Sequence, residues 1–209
     1  MIAAVVPAAG RSERMGRPKL ILPLGEDTVI ARVIRALREG GAETIVVVVP
    51  PAEFPGAAVL ADEATRAGAV VVVAESATAD MRASVELGLD HLRRGHAPAT
   101  VLLAPGDSPG ITPGLVRDVI AGATAEPGSI VVPMCRGRRG HPLALPWDLA
   151  AEVRDLPTGT GVNALLAVRA DRVVMLEVDD PGTTADLDTP EDYRAWVQGG
   201  RAGGEGPNR

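Results

Sequence analysis

The sequence predicts an α/β fold: a single domain with a mostly parallel central sheet, helices on both faces and a late antiparallel strand. Short β-branched runs such as 44–49 alternate along the chain with segments of helical periodicity such as 28–38. The first apolar run, 2–6, ends in a loop of small residues, which is typical of ligand-binding loops at the carboxyl end of a sheet strand. Parallel strands joined by helical crossovers follow from this alternation.

The pattern places the elements in chain order. Thr112 and Thr189 each precede a proline, and each Thr-Pro pair predicts a helix start. Asp80 or Ser76 is expected to cap the helix predicted at 80–89. The last strand alternates apolar and polar residues, which favours an edge or antiparallel position. The predicted elements are helix 28–38, strand 44–49, helix 57–66, strand 69–73, helix 80–89, strand 100–104, a helix from 112, strand 129–134, strand 172–178 and a helix from 189.

Length and composition fit one globular domain. The 209 residues suffice for a sizeable core, which we place at 1–198, with a glycine-rich tail, 199–209, that we expect to be disordered. The net charge of −6 argues against nucleic acid as a partner. No apolar run approaches the roughly 18 residues of a membrane span, and no charged leader precedes the first strand, so we expect a cytoplasmic protein without a membrane partner.

The loop after the first strand has the composition of a polyphosphate site. Small residues let a ligand approach the main chain, and cations concentrate positive charge within one loop length. It is not a dinucleotide fingerprint, because Ser12 occupies the position of the second glycine, and it is not a P-loop, because Leu20 follows Lys19. The residues concerned are Ala8, Ala9 and Gly10, then Arg11, Arg14, Arg17 and Lys19.

Residues 8–19 follow the pattern A-A-G-x-S-x-R-M-G-x-x-K, which resembles the signature loop of nucleotidyltransferases related to the molybdenum cofactor cytidylyltransferases. The resemblance spans residues 2–196 and implies a Rossmann-like nucleotidyltransferase domain. In that family the loop holds the triphosphate of the incoming nucleotide. The resemblance therefore implies catalytic roles for Arg14 and Lys19 and nucleotide binding by Ala8, Ala9, Gly10, Arg11 and Ser12.

Two further motifs predict a metal site. The turn 106–109 reads Gly-Asp-Ser-Pro and follows a sheet strand, so Asp107 is either a turn-forming residue or a metal ligand at the ligand-binding edge. The turn resembles the family's Gly-Asp-x-Pro, and residues 186–193 match its Asp-x-Asp-Thr-Pro-Glu-Asp-Tyr signature. The resemblance implies that Asp107 and Asp186 hold Mg²⁺, with Asp188 nearby but not bound to the metal.

Weaker matches suggest further ligand contacts. Ser84 fits the family's Gly-Met-x-x-Ser helix start, although Asp80 replaces the glycine, and this implies nucleotide binding. The segment 137–142 is similar to the family's Gly-x-x-Gly-His-Pro hairpin, which lines the acceptor side, so Arg138 and His141 are candidate acceptor contacts. A solvated turn and a structural histidine are the alternatives. Asn163 is a third candidate; its segment, 156–166, is closer to phospholactate guanylyltransferases than to the molybdenum cofactor enzymes.

The resemblance implies transfer of a nucleoside monophosphate from a nucleoside triphosphate to a phosphorylated small-molecule acceptor, with Mg²⁺ and release of pyrophosphate. Ala9 favours CTP as the donor, since guanylyltransferase relatives tend to carry glycine there. The pterin cofactor phosphate is the preferred acceptor, which makes a molybdenum hydroxylase a candidate partner. Two alternatives remain open: a nucleotidyltransferase for a phospholactate-type or sugar or alcohol phosphate, and a non-catalytic carrier of molybdenum cofactor.

Overall fold

A mixed sheet of eight strands forms the centre of the protein. The computed structural model describes residues 1–10, 15–76, 78 and 80–199. The strands are β1 (Ile2–Pro7), β2 (Pro23–Leu24), β3 (Asp27–Thr28), β4 (Thr44–Val49), β5 (Val70–Val73), β6 (Thr100–Leu103), β7 (Ile130–Cys135), β8 (Arg138–Arg139), β9 (Leu143–Pro146) and β10 (Val173–Glu177). The helices are α1 (Val29–Glu39), α2 (Ala57–Arg66), α3 (Met81–Arg94), α4 (Pro113–Ala125), α5 (Trp147–Ala151), α6 (Asn163–Val168) and α7 (Pro190–Gly199).

The strand order is β10-β7-β9-β6-β1-β4-β5, with β8 paired to β7 and β2-β3 forming a separate hairpin. Strand β1 pairs in parallel with both β4 and β6, so the loops after these strands open at one edge. The prediction of a mostly parallel α/β sheet is confirmed. None of the described helices combines the length and apolar character that crossing a membrane requires.

The late antiparallel strand is β9, which runs against both β6 and β7. The strand predicted at 172–178 does lie at the sheet edge, but it is parallel to β7. Strand β9 follows β7 through the short β8 hairpin, which returns the chain antiparallel to β7. The chain then reverses again through the segment that contains α5 and α6, so β10 runs antiparallel to β9 and parallel to β7.

Apolar side chains cover the sheet on both faces. Alternate residues of β1 point to opposite faces of the sheet. On one face, Ala4 and Val6 pack in a core with α1, α2, α4 and α7, and on the other, Ala3 and Val5 pack in a core with α3, α5 and α6. The predicted helix caps are confirmed, with the side chain of Asp80 accepting from Ala83 N at 2.9 Å and that of Thr112 from Leu115 N at 3.1 Å. Gly199 ends α7; the rest of the predicted tail, 200–209, lies outside the described residues.

A glycine sets how closely α3 approaches the sheet. A Cβ placed on Gly88 would lie 2.5 Å from Cγ1 of Val5, which is completely buried in β1. No carbon atom fits at that separation, and a packed valine cannot move without disturbing the core. Gly88 therefore lets the helix lie against β1.

We expect Gly88→Ala to lower the free energy of unfolding by about 1–3 kcal/mol because of this overpacking, although alanine is the better helix former. Urea denaturation followed by circular dichroism measures the change. Gly114→Ala is the matched control, since the nearest atom to a Cβ there lies at an ordinary 3.7 Å. Equal stability of the Gly88 variant and the unmutated protein would contradict the packing argument.

Candidate active site

Three loops converge at the carboxyl edge of the sheet and place charged side chains together. Lys19 belongs to the loop after β1, Asp107 to the turn after β6, and Asp186 to the segment between β10 and α7. A backbone hydrogen bond from Leu187 N to Asp107 O, 2.8 Å long, joins the last two segments directly. The structure thus brings together the lysine and the two carboxylates that the sequence nominated.

Lys19 links two of the carboxylates. Its Nζ lies 2.6 Å from Asp107 Oδ2 and 2.9 Å from Asp188 Oδ1, and its side chain is only 13% exposed. Burial works against the charged ammonium, but the neighbouring carboxylates outweigh it and raise the pKa of Lys19 above its ordinary value. Lys19 is therefore protonated at neutral pH, and its two ion pairs fix the position of its ammonium group.

Asp186 is oriented by the neighbour of Asp107. The hydroxyl of Ser108 donates to Asp186 Oδ1 at 2.6 Å, and Ser108 is 1% exposed whereas Asp186 is open to solvent. One turn thus supplies a carboxylate and the donor that positions the second carboxylate. Sequence reasoning missed Ser108, because the family pattern leaves this position unspecified.

Glycines let the three segments cross with their backbones in contact. A Cβ on Gly110 would lie 2.6 Å from the carbonyl oxygen of Gly182, and one on Gly182 would overlap Gly110 O. A Cβ on Gly140 would likewise overlap Thr183. These approaches exclude side chains and bring the loop of Asp107, the segment of Asp186 and the hairpin of His141 together.

Asp180 supports the contact between these segments by accepting two hydrogen bonds. Its Oδ1 accepts from Gly182 N and its Oδ2 from the hydroxyl of Thr112, each at 2.8 Å, so it connects the turn 181–184 to the start of α4. The sequence contained a signal for this role, because an aspartate before Pro181 is a typical cap. It was overlooked beside the stronger motif at 186–193.

Side chains from α1 and α7 support the same loops. Arg32 donates to Pro109 O at 3.1 Å and lies over the ring of Trp196, 5.7 Å from its centroid. Arg17 lies 5.4 Å from the centroid of Tyr193, whose hydroxyl donates to Pro23 O. These contacts join α7 to both ligand-facing loops.

His141 lies beside the carboxylates. Its backbone N donates to Thr183 O at 2.9 Å, and its Nδ1 is buried without a hydrogen-bond partner among the described residues. Burial lowers the pKa of His141, against the opposing effect of Asp186, Asp107 and a backbone hydrogen bond at Leu103. The imidazole is therefore neutral at pH 7, and acceptor contact by His141 stays a prediction.

The other nominated residues line different parts of the edge. Ala8 and Ala9 are buried, with Ala8 N donating to Val48 O at 2.9 Å, and Gly10 is exposed; nucleotide binding by these three residues stays a prediction. Ser84 is buried, and its hydroxyl donates to Thr78 Oγ1 at 3.2 Å. Nucleotide binding by Ser84 stays a prediction. Three nominated residues lie outside the described part of the chain: Arg11, Ser12 and Arg14.

The acceptor candidates beyond His141 are both solvent-exposed. Arg138 lies in β8, and Asn163 is the first residue of α6. Arg138 lies on the hairpin after β7, and Asn163 lies on the connection between β9 and β10. Their predicted contact with an acceptor therefore depends on how these two connections are held.

The donor set suits a divalent cation that shares its ligands with a substrate. No group of three or more histidine, cysteine, aspartate or glutamate side chains able to hold a metal occurs within 1–10, 15–76, 78 and 80–199. The carboxylates of Asp107 and Asp186 offer oxygen ligands on adjacent segments. Mg²⁺ is commonly held by one or two carboxylates together with substrate phosphates, so the residues present fit such an ion.

A family model described as the MobA-like NTP transferase domain matches residues 4–187. The chain belongs to this family. A relative named as a probable molybdenum cofactor guanylyltransferase, from Mycobacterium ulcerans, is 29% identical over 211 residues, covering 95% of this chain and 94% of that protein. The 2-C-methyl-D-erythritol 4-phosphate cytidylyltransferase of Saccharopolyspora erythraea is 36% identical over 137 residues, covering 64% of this chain and 59% of the relative's length.

Solved structures agree with this membership in the MobA-like family. The crystal structure of Rv0371c from Mycobacterium tuberculosis H37Rv superimposes with a TM-score of 0.80 at 30% identity, covering 95% of this chain and 98% of that one. A structure of the same mycobacterial protein in complex with manganese has a TM-score of 0.74 at 28% identity and covers 94% and 98% of the two chains. The relatives include both guanylyl- and cytidylyltransferases, so the family leaves the base open.

The Ser108–Asp186 contact predicts a stability effect. We expect Ser108→Ala to lower the free energy of unfolding by about 1–2 kcal/mol, because a buried donor to a carboxylate is lost. Thermal unfolding in EDTA measures it, and exposed Ser76→Ala serves as the control. A Ser108 variant no less stable than the control would show that the hydroxyl does not anchor Asp186.

Proposed function

We propose that the protein transfers a nucleoside monophosphate from a nucleoside triphosphate to a phosphorylated small-molecule acceptor and releases pyrophosphate. The observation that carries this proposal is the convergence of Lys19, Asp107 and Asp186 at the carboxyl edge of the sheet, beside the small residues that end β1. Family membership supports it. A carrier without catalysis would not need a lysine and two carboxylates in this arrangement.

The chain's own residues divide the work of charge stabilisation. Lys19, kept cationic by its carboxylate neighbours, would neutralise charge on the leaving pyrophosphate, and Asp107 and Asp186 would hold the cation. A bound divalent cation supplies stabilisation of the charge on the transferred phosphoryl group. A phosphate acceptor is already anionic at neutral pH, so no residue is required as a general base.

We propose Mg²⁺ as the cation, CTP as the donor and the pterin cofactor phosphate as the acceptor. The donor choice rests on Ala9, and the cytidylyltransferase relative agrees with it, whereas the guanylyltransferase relatives favour GTP. The alternative acceptors are a phospholactate-type or sugar or alcohol phosphate, favoured by the segment 156–166. Delivery of a product to a molybdenum hydroxylase is proposed only with the pterin acceptor.

Pyrophosphate release tests the proposal directly. Each of the four nucleoside triphosphates is combined with each acceptor class, in Mg²⁺, in Mn²⁺ and in EDTA. We expect turnover with CTP and the pterin phosphate that EDTA abolishes. Turnover with GTP alone would correct the donor, and no turnover with any pair would leave the non-catalytic carrier as the function.

Removing one carboxylate tests the assignment of the metal ligands. We expect Asp107→Asn to lower kcat at least a hundredfold, since the amide cannot supply the ligand charge. Asp118→Asn, on the exposed face of α4, is the control and should retain full activity. Near-normal turnover of the Asp107 variant in Mg²⁺ would exclude Asp107 as a ligand.

A further inference from the structure

Arg82 fastens a distant turn to helix α3. Its Nη1 lies 2.7 Å from Pro157 O and 3.4 Å from Thr160 O, and its Nη2 lies 3.2 Å from Arg154 O. The Nε atom donates to Glu86 Oε1, one helical turn on, at 2.7 Å. With a side chain only 11% exposed, Arg82 connects two elements separated by more than seventy residues.

The turn that Arg82 holds, residues 157–161, carries little side-chain bulk at its tip. Gly159 has φ +78°, and a Cβ on Gly159 or Gly161 would meet no atom within 4 Å. Buried Leu156 and Leu165 anchor the chain on either side, while most of the turn is exposed. The turn therefore projects from the protein with an accessible main chain, and the predicted acceptor residue Asn163 follows it.

The position of α3 places this turn at the edge where the reaction is proposed to occur. Helix α3 begins after the carboxyl end of β5, and β5 lies parallel to β4, as β4 does to β1. Asp80 caps the first turn of the helix, and Gly88 holds the helix against β1. Arg82, in the first helical turn, consequently holds 157–161 at the carboxyl edge of the sheet, the edge that also carries the loops after β1 and β6.

We propose that Arg82 is a positioning residue for the acceptor: it fixes the turn 157–161 as one wall of the acceptor site. This inference rests on the proposed nucleotidyl transfer. An arginine suits the task because its planar group can donate to several carbonyls at once, whereas a lysine offers a single ammonium. The ligand class is the phosphorylated acceptor, which meets main-chain amides of the turn and Asn163.

Steady-state kinetics with each substrate varied in turn tests the proposal. For Arg82→Gln we expect the KM for the acceptor to rise roughly tenfold or more, because the wall of the site is displaced, while the KM for the nucleoside triphosphate changes less than twofold. Arg82→Lys should fall between this variant and the unmutated protein. Arg169→Gln is the control: it removes a two-point ion pair with Glu152, 2.8 Å at both contacts, without touching the turn.

Hydrogen exchange separates a displaced turn from general loosening. We expect faster exchange at amides 156–164 in Arg82→Gln, with β1, β4 and β6 unchanged. Equal increases in both KM values, an unchanged acceptor KM, or the same kinetic effect in Arg169→Gln would overturn the proposal. Absence of turnover in the unmutated protein would instead overturn the proposed function, and the acceptor role of Arg82 with it.

Discussion

The close crossing of Gly110 and Gly182 is the contact on which the rest of the site depends. Neither position has room for a Cβ, so the loop after β6 and the segment before α7 meet through their main chains. The hydrogen bond from Leu187 N to Asp107 O then fixes the register between them. The carboxylates of Asp107 and Asp186, distant in sequence, are thus positioned by contact between their backbones. Backbone contacts adjust less than side-chain contacts, which suits a site that must hold its ligands in a fixed geometry.

The crossing also brings carboxylates close together, and neighbouring groups stabilise them. At an effective dielectric constant of about 20, two like charges about 4 Å apart repel by about 4 kcal/mol. Lys19 lies between Asp107 and Asp188, Ser108 donates to Asp186, and His141 remains neutral beside them. The carboxylate oxygens of Asp107 and Asp186, together with the exposure of Asp186, suit a divalent cation that arrives with a substrate phosphate.

Local patterns predicted the elements, and motifs predicted the residues that converge. Strand β4 and helix α2 have the predicted bounds, and Asp80 and Thr112 cap helices as expected, because capping and periodicity depend on neighbours in sequence. The strand at 172–178 lies at the sheet edge, one of the two positions predicted for it, whereas its parallel direction depends on the path of the chain through α5 and α6, which local periodicity does not report. Ser108 and Arg82 were missed for a related reason: they bond to segments more than seventy residues away, and such partners leave no local pattern.

The proposed catalytic residues and the turn proposed to contact the acceptor are held in place by different kinds of contact. Lys19 and Asp107 lie on loops after the central strands β1 and β6, and glycine crossings hold the loop of Asp107 against the segment that carries Asp186. The turn 157–161 lies outside the sheet and is connected to α3 through the side chain of Arg82. A side-chain attachment can change by single substitutions without altering the catalytic edge. If the turn held by Arg82 forms the acceptor wall as proposed, relatives with one fold can keep nucleotidyl transfer while this turn and their acceptors diverge.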